Sequence, residues 1–416
     1  MKKIIIGLLI LIGSVVMVYL YFQQNIKTHF IGARELSEGS KIEGKYFISP
    51  DGNGTECTKL SPCGFESLDL FKGFLKDRIE PGDVIFFRGG VYYYSLDGVK
   101  RVYLTGGSKE KPVIYQSYPG ETAVFDGSKI SLESNKEDWR EGRLQLRDNY
   151  TILRKVEVRN MPQYGVSIYG NHNILEGCKI HHNHLSGVAI ANLADGYSVK
   201  DTGGSYNIVR DNIIYNNSDV GLRHGNYADG DNADGISVMS GVSNLVSHNF
   251  VYTNSDDGID TWKSMNTIVE FNKVYGNGKG ANGNGNGIKL GGDSKESPLG
   301  ANAIARYNIS SSNKNIGINI NAGKNVLMVY NTVYDNQNYG FTLEEDTVIK
   351  NNISFKNRAG DVGWADGKEQ KDNSWQLGIE FSEDDFISLD YMSSEFLKPT
   401  DRSLSIGAYA EANLSK

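Results

Sequence analysis

The chain has 416 residues and a formal net charge of −7, and it contains no concentrated basic segment. We therefore expect no nucleic-acid partner, because phosphate binding needs a dense positive surface. Glycine (48) is abundant, proline (8) is scarce and tyrosine (24) outnumbers phenylalanine (16), a balance that favours short strands joined by tight polar turns over long helices.

The N-terminus carries an export signal. Lys2 and Lys3 precede an apolar run over residues 4–22 that contains no charge and is long enough to span a bilayer. Because the lysines stay on the cytoplasmic side, everything after this run is expected outside the cytoplasm. Residues 1–22 are thus a cleaved signal peptide, giving a secreted protein, or a retained anchor, and the sequence leaves both open. Residues 23–43 resemble a linker.

A repeated phrase, Asn-x-(Val/Ile)-x-x-Asn, organises the rest of the chain. Its copies, two of them degenerate, begin at Lys155, Cys178, Asn212, Asn249, Asn272, Asn308, Asn331 and Asn352. The intervals are 23, 34, 37, 23, 36, 23 and 21 residues, so a unit of about 23 residues recurs, with insertions. A second phrase, x-Gly-apolar, follows most starts by eight or nine residues. Each unit is predicted to contain two short strands and two turns.

A unit this small cannot bury its own core, so neighbouring units must stack. We predict an all-β parallel β-helix (a solenoid) over residues 44–416, with the repeats at about 150–360 and a non-repetitive C-terminal tail that packs along the β-helix or covers its end. Stacked coils place equivalent residues about 4.8 Å apart, so the recurrent asparagines are expected to form hydrogen-bonded ladders. An amphipathic stretch at 67–77 predicts an N-terminal capping helix that Ser67 could cap.

Two insertions bracket the densest polar segment, NSDDGIDTWKS, and loops inserted into a solenoid commonly form its binding surface. Aligning ADGISV, DDGIDT and GNGIKL gives one column of Asp234, Asp257 and Asn286, and another of Ser237, Asp260 and Lys289. Clustered carboxylates repel one another unless a cation lies among them, and oxygen ligands select a hard cation, Ca²⁺ over Mg²⁺. The alternative is a set of ordinary solvated turn aspartates. The predicted calcium ligands are Asp234, Asp256, Asp257 and Asp260.

Lys289 follows Asp260 by one coil in the same column, between two apolar residues that alternation would turn towards the core. A lysine beside a divalent cation has a lowered pKa and can act as a base, whereas an isolated outward lysine is simply solvated. The candidate substrate-binding residues are Arg223, His224 and Trp262. Three further histidines near the same face, His181, His182 and His184, fit solvated turn positions better than metal ligands.

These segments resemble the family 9 polysaccharide lyases, which are pectate lyases with a right-handed parallel β-helix. The resemblance rests on ADG, NSDDGID and GNGNGIKLGG in order, on SPDGNGTECTKLSPCG with GDVIFFRGGVYY, and on the tail DNSWQLGIEFSEDDFISLD. It implies that Asp234, Asp256, Asp257 and Asp260 bind Ca²⁺ and that Lys289 is the catalytic base. The segment after LDYMSSEF is short for this family, which predicts a different substrate wall.

The sequence thus predicts a monomeric, extracytoplasmic enzyme that cleaves pectate (polygalacturonate) or a related uronate polymer by Ca²⁺-assisted β-elimination. The acidic polysaccharide is its expected partner, and the N-terminal segment is its only expected membrane contact. One alternative is a β-helix glycoside hydrolase, which would use paired aspartates and no metal. The other is a surface solenoid that binds carbohydrate without turnover. An exported location also permits a disulfide between Cys57 and Cys63.

Overall fold

The computed structural model describes residues 43–132, 142–191, 203–222, 229–292 and 299–410. In these residues the chain winds through short strands in three parallel sheets that form a right-handed β-helix, a unit of Gly44–Lys416. The predicted all-β solenoid is confirmed. The predicted export segment at 1–22, and the linker up to residue 42, lie outside the described residues. Within the described ranges, no helix has the length and apolar character needed to cross a membrane.

Each coil passes through sheets A, C and B in turn, and the strands of each sheet stack along the axis in chain order. Sheet A contains β1 (Tyr46–Ile48), β2 (Val84–Phe87), β5 (Val113–Ser117), β8 (Thr151–Arg154), β11 (Ile174–Glu176), β14 (Ile208–Arg210), β17 (Leu245–Ser247), β20 (Ile268–Glu270), β23 (Ile304–Arg306), β26 (Leu327–Val329), β29 (Val348–Lys350) and β32 (Glu369–Lys371). Sheet B contains β4 (Arg101–Leu104), β7 (Arg143–Leu146), β10 (Val166–Ile168), β13 (Val188–Ile190), β16 (Ile236–Val238), β19 (Ile259–Asp260), β22 (Ile288–Gly291), β25 (Ile318–Asn321), β28 (Tyr339–Leu343) and β31 (Gly360–Trp364). Sheet C contains β3 (Gly90–Ser95), β6 (Ala123–Lys129), β9 (Glu157–Arg159), β12 (Lys179–His181), β15 (Ile213–Tyr215), β18 (Phe250–Tyr252), β21 (Lys273–Tyr275), β24 (Ile309–Ser311), β27 (Thr332–Tyr334) and β30 (Ile353–Phe355).

The predicted asparagine ladders are present at both ends of the sheet C strands. At the first ladder each side-chain oxygen accepts a hydrogen bond from the main chain of the preceding coil, as Asn272 does from Asn249 N at 3.0 Å. The first ladder comprises Asn212, Asn249, Asn272, Asn308, Asn331, Asn352 and Asn373. The second comprises Asn183, Asn217, Asn254, Asn277, Asn313, Asn336 and Asn357. Their amides satisfy buried main-chain groups that an apolar turn would leave unpaired.

The second ladder also explains the recurrent x-Gly phrase. A Cβ built on Gly258 would lie 2.8 Å from Asn277 Nδ2 and 2.5 Å from the main-chain oxygen of Gly287. The asparagine amide and the next coil therefore occupy the space that any side chain would need at this corner. The two repeated phrases of the sequence are two halves of one packed corner between sheets C and B.

The N-terminal end of the β-helix differs from the predicted single capping helix. The stretch at 67–77 forms not one helix but two short 3₁₀-helices, Phe65–Leu68 and Leu75–Asp77, because the Asp69 carboxylate accepts hydrogen bonds from Phe71 N and Lys72 N and turns the chain between them. Ser67 lies inside the first helix and does not cap it. Cys57 and Cys63 form a disulfide.

The tail packs along the outer face of sheet C, one of the two predicted arrangements. It includes the helix α1 (Ser374–Leu377) and a 3₁₀-helix, Glu383–Asp385. The Tyr391 ring stacks on Tyr275 of β21 with centroids 4.0 Å apart, and Phe386 and Phe396 bury against Ile309 and Ile353. The tail thus covers sheet C.

Candidate active site

Three consecutive strands of sheet B carry the candidate site. Ser237 on β16 pairs with Asp260 on β19, and Asp260 pairs with Lys289 on β22, so the predicted column is confirmed. The preceding residue of each strand is a fully buried isoleucine, and strand alternation turns the column outwards. One coil separates each functional side chain from the next by about 4.8 Å.

Three carboxylates meet in the turns that lead into β16 and β19. A carboxylate oxygen from each of Asp234, Asp256 and Asp257 lies within 4.8 Å of the others, and all three residues are buried. Burial first, and then the charges of the neighbouring aspartates, raise the pKa of Asp234 well above its usual range. Burial and the charge of Asp257 raise the pKa of Asp256 to about 8. Such shifts are expected where buried carboxylates lie close together.

Hydrogen bonds fix the orientation of these carboxylates. Asp257 Oδ1 accepts from Asn286 N at 2.7 Å and from Asn286 Nδ2 at 3.0 Å. Asp234 Oδ1 accepts from Asp257 N at 3.1 Å, and its Oδ2 accepts from the Ser237 hydroxyl. Asp256 Oδ1 accepts from Asn284 N in the glycine-rich insertion. The insertion therefore closes over the carboxylates from one side.

The donor set fits a hard divalent cation. All three clustered side chains offer oxygen, and Asn286 Oδ1 is a further buried oxygen that accepts no hydrogen bond. Buried polar atoms of this kind need a partner. A group of oxygen ligands with several negative charges binds Ca²⁺ in preference to softer metals. Asp234, Asp256 and Asp257 would hold the ion.

The fourth predicted ligand, Asp260, is placed against the lysine. Lys289 Nζ lies 3.0 Å from Asp260 Oδ2 and 3.2 Å from Asp257 Oδ2. The other oxygen of Asp260 accepts from Trp262 N at 2.9 Å. Burial lowers the pKa of Lys289, but the charges of Asp260, Asp257 and Asp234 outweigh burial and raise it above its ordinary value. The role of Asp260 as a metal ligand remains a prediction.

The remaining sequence candidates are Trp262, Arg223, His224 and the histidines at and after β12. Trp262 follows β19 on the face of sheet B, with Lys263 Nζ 4.2 Å from its ring centroid. Arg223 and His224 lie outside the described residues. The expectation of solvated histidines near this face is wrong for His181, which is buried at the end of β12 on sheet C.

Two contributors were not among the predicted site residues. Ser237 holds Asp234, and its position in the lysine column was the available signal. Asp231 lies in the turn before Asp234. Burial raises the pKa of its carboxyl group, although the charge of Lys289 acts in the opposite direction. Asp231 is the second aspartate of the DGDNADG phrase, which is visible in the sequence. It lies in an insertion, however, and therefore has no equivalent position in the aligned repeats.

In the presence of a chelator, raising the pH from about 4 to 8 should lower the thermal unfolding midpoint. Asp256 keeps its proton up to a pKa of about 8, whereas an unfolded aspartate loses it near 3.8, so the unfolded state binds fewer protons in this window and stability falls as pH rises. Added Ca²⁺ should remove the loss, and Asp256→Asn should reduce it. A chelated wild-type curve that coincides with that of the variant at every pH contradicts the assignment.

Comparison with known proteins identifies a family and several relatives with this architecture. A family model described as Pel9A-like, right-handed β-helix region, matches residues 46–373. Pectate lyase L of Dickeya dadantii (strain 3937) is 28% identical over 389 residues, covering 89% of this chain and 84% of the relative. Pectate lyase L of Paenibacillus polymyxa (strain SC2) is 25% identical over 370 residues, covering 83% and 77%.

Two solved structures share the fold. The crystal structure of pectate lyase Pel9A superposes with a TM-score of 0.65 at 21% identity, covering 87% of this chain and 90% of the other. A rhamnogalacturonan lyase gives 0.66 at 18% identity, covering 88% and 100%. At this level of identity the two structures support the fold, and the family model supports the assignment. The chain belongs to the Pel9A-like family of right-handed β-helix proteins.

Proposed function

We propose that this chain cleaves pectate, or a related uronate polymer, by calcium-assisted β-elimination with Lys289 as the base. The coarser statement, that the chain is a polysaccharide lyase, follows from its family and its pectate lyase relatives. One observation carries the finer proposal: Lys289, on the outer face of sheet B, lies within 3.2 Å of a carboxylate of the buried aspartate group. A proton acceptor and a cation site are thus adjacent.

The chemistry follows from these positions. Bound Ca²⁺ would hold the substrate carboxylate and make the proton on the adjacent carbon, C5, more acidic. Lys289 Nζ takes that proton, the electron pair forms a double bond between C4 and C5, and the glycosidic oxygen leaves from C4. The amine must be neutral to accept a proton. Asp260 and Asp257 keep it charged until their own negative charge is offset, so the same carboxylates that favour a cation also control the base.

The first test is the ultraviolet absorbance of unsaturated product released from polygalacturonate. We expect it with Ca²⁺ and not with chelator, and we expect the chelated protein at mildly acid pH to keep its β-sheet circular dichroism. Saturated reducing ends in chelator would favour the hydrolase alternative. Polymer binding without any product, on polygalacturonate and on rhamnogalacturonan, would favour the non-catalytic solenoid.

A further inference from the structure

An arginine and two tyrosines form a cluster on the N-terminal coils of sheet B. The guanidinium carbon of Arg147 lies 4.6 Å from the ring centroid of Tyr103 and 5.9 Å from that of Tyr169. We propose that this cluster is a distal subsite that binds a carboxylate of the uronate polymer, so that the polymer extends from the catalytic coils towards the N-terminal coils. The inference rests on the proposed function. It adds the direction in which the polymer extends along sheet B and a residue that recognises its negative charge.

The register places this cluster on the same face as the catalytic lysine. Tyr103 pairs with Gln145, and the column continues through successive strands to Ser237, Asp260 and Lys289. Arg147 follows Gln145 by two residues, as Trp262 follows Asp260. Strand β7 is three strands from β16 and five from β22, which corresponds to about 14 and 24 Å along the axis. Only a chain long enough to span this distance can contact both positions, and a short oligomer at Lys289 cannot contact Arg147.

The chemistry of the cluster suits a carboxylate. A guanidinium stacked on aromatic rings is held in one orientation, and its N–H edge remains available for a planar, bidentate anion. Among the described residues, no carboxylate forms an ion pair with Arg147. The adjacent Asp148 directs its carboxylate to Gly106 N at 3.1 Å. Arg101 on β4 and Arg143 on β7 lie opposite each other in the register of the neighbouring strands.

The opposite end of sheet B has the reverse character. There a cavity of about 440 Å³ beside β31 is lined by Trp364 together with Asp361 and Asp366. Carboxylates at this end repel an anionic polymer, whereas Arg147 at the other end attracts it. The difference in charge between the two ends selects the N-terminal direction.

The test separates polymer binding from chemistry. Arg147→Gln keeps a planar amide and removes the charge. It should raise KM for polygalacturonate about tenfold, the size of one charge-assisted hydrogen bond, with kcat changed less than about twofold. KM for the shortest oligogalacturonate that the wild type cleaves should not change. Arg147→Lys, which keeps the charge without the planar fork, should recover part of the affinity. The matched control is Arg402→Gln, an exposed arginine of the tail.

Titration of polygalacturonate gives a readout that does not depend on turnover. In a Lys289→Ala background, adding Arg147→Gln should weaken binding about tenfold, by the same reasoning. If the wild type cleaves polygalacturonate and Arg147→Gln leaves both KM and this affinity unchanged, the subsite is overturned and the proposed function stands. If the wild type does not cleave it, the proposed function fails, and the same titration still decides the subsite: a loss of affinity supports it and equal affinities overturn it.

Discussion

Lys289→Ala is expected to lower kcat on polygalacturonate by about 10²–10⁴, the contribution of a positioned general base. The variant has no group that can accept the C5 proton at that position of sheet B. KM should change much less, because the aspartates and the rest of the sheet B face remain. The measurement is the rate of unsaturated product formation at saturating Ca²⁺. Lys111→Ala, an exposed lysine in the turn before β5, serves as the control for loss of one positive charge.

Lys289→Arg distinguishes a base from a structural counter-ion. Arginine keeps the positive charge next to Asp257 and Asp260, so the thermal stability of the chelated protein should remain near that of the wild type. A guanidinium does not become neutral in the accessible pH range and therefore cannot replace the lysine as base. An arginine variant with activity close to the wild type would contradict proton abstraction by Lys289.

Asp257→Asn should weaken Ca²⁺ binding by at least about 10²-fold, because affinity in oxygen-ligand sites depends on the number of charged ligands. Asp257 is fully buried within the group, and one of its oxygens lies within 4.8 Å of those of Asp234 and Asp256. Turnover should vanish at a Ca²⁺ concentration that saturates the wild type and return partly at high Ca²⁺. Calcium titration calorimetry and the calcium dependence of the rate both measure this effect. Asp211→Asn, an exposed aspartate on the turn between sheets A and C, is the matched control.

The stability of the same variant, Asp257→Asn, distinguishes a loss of Ca²⁺ binding from a loss of folding. Burial raises the pKa of Asp257, so its ionised form is unfavourable in the absence of a cation. The neutral asparagine removes this cost, and the chelated variant should therefore be at least as stable as the chelated wild type. A variant that binds Ca²⁺ with wild-type affinity would show that Asp257 is not a ligand.

The repeated part of the chain was predictable because its physics is local and periodic. The spacing of Asn249 and Asn272 defines one coil, and a one-coil alignment is sufficient to place Asp260 beside Lys289. The first coils lack the phrase, so the sequence offers no register for Tyr103 or Arg147. Their contact depends on strand pairing between β4, β7 and β10, which only the structure provides.

The site itself was predictable in its members and less so in its partners. Alignment of the repeats identifies which aspartates are neighbours, but it does not predict the partner of each carboxylate oxygen. The sequence therefore predicts Asp256 and Asp260 equally as ligands. In the structure Asp256 joins the buried group, whereas both oxygens of Asp260 already have partners, Lys289 and Trp262 N.

The corner between sheets C and B has a consequence for ion selectivity. Asp256 and Asp257 lie between two fixed points, Asn254 in the second ladder and Gly258 packed against Asn277. The ladder therefore holds the carboxylates together before any ion arrives. In the proposed calcium site, an ion would meet ligands already in position, so little conformational entropy would be lost on binding, and rigidly held oxygens would discriminate ions by radius. In that site, asparagines remote from the substrate would influence ion selectivity by fixing the spacing of the ligand oxygens.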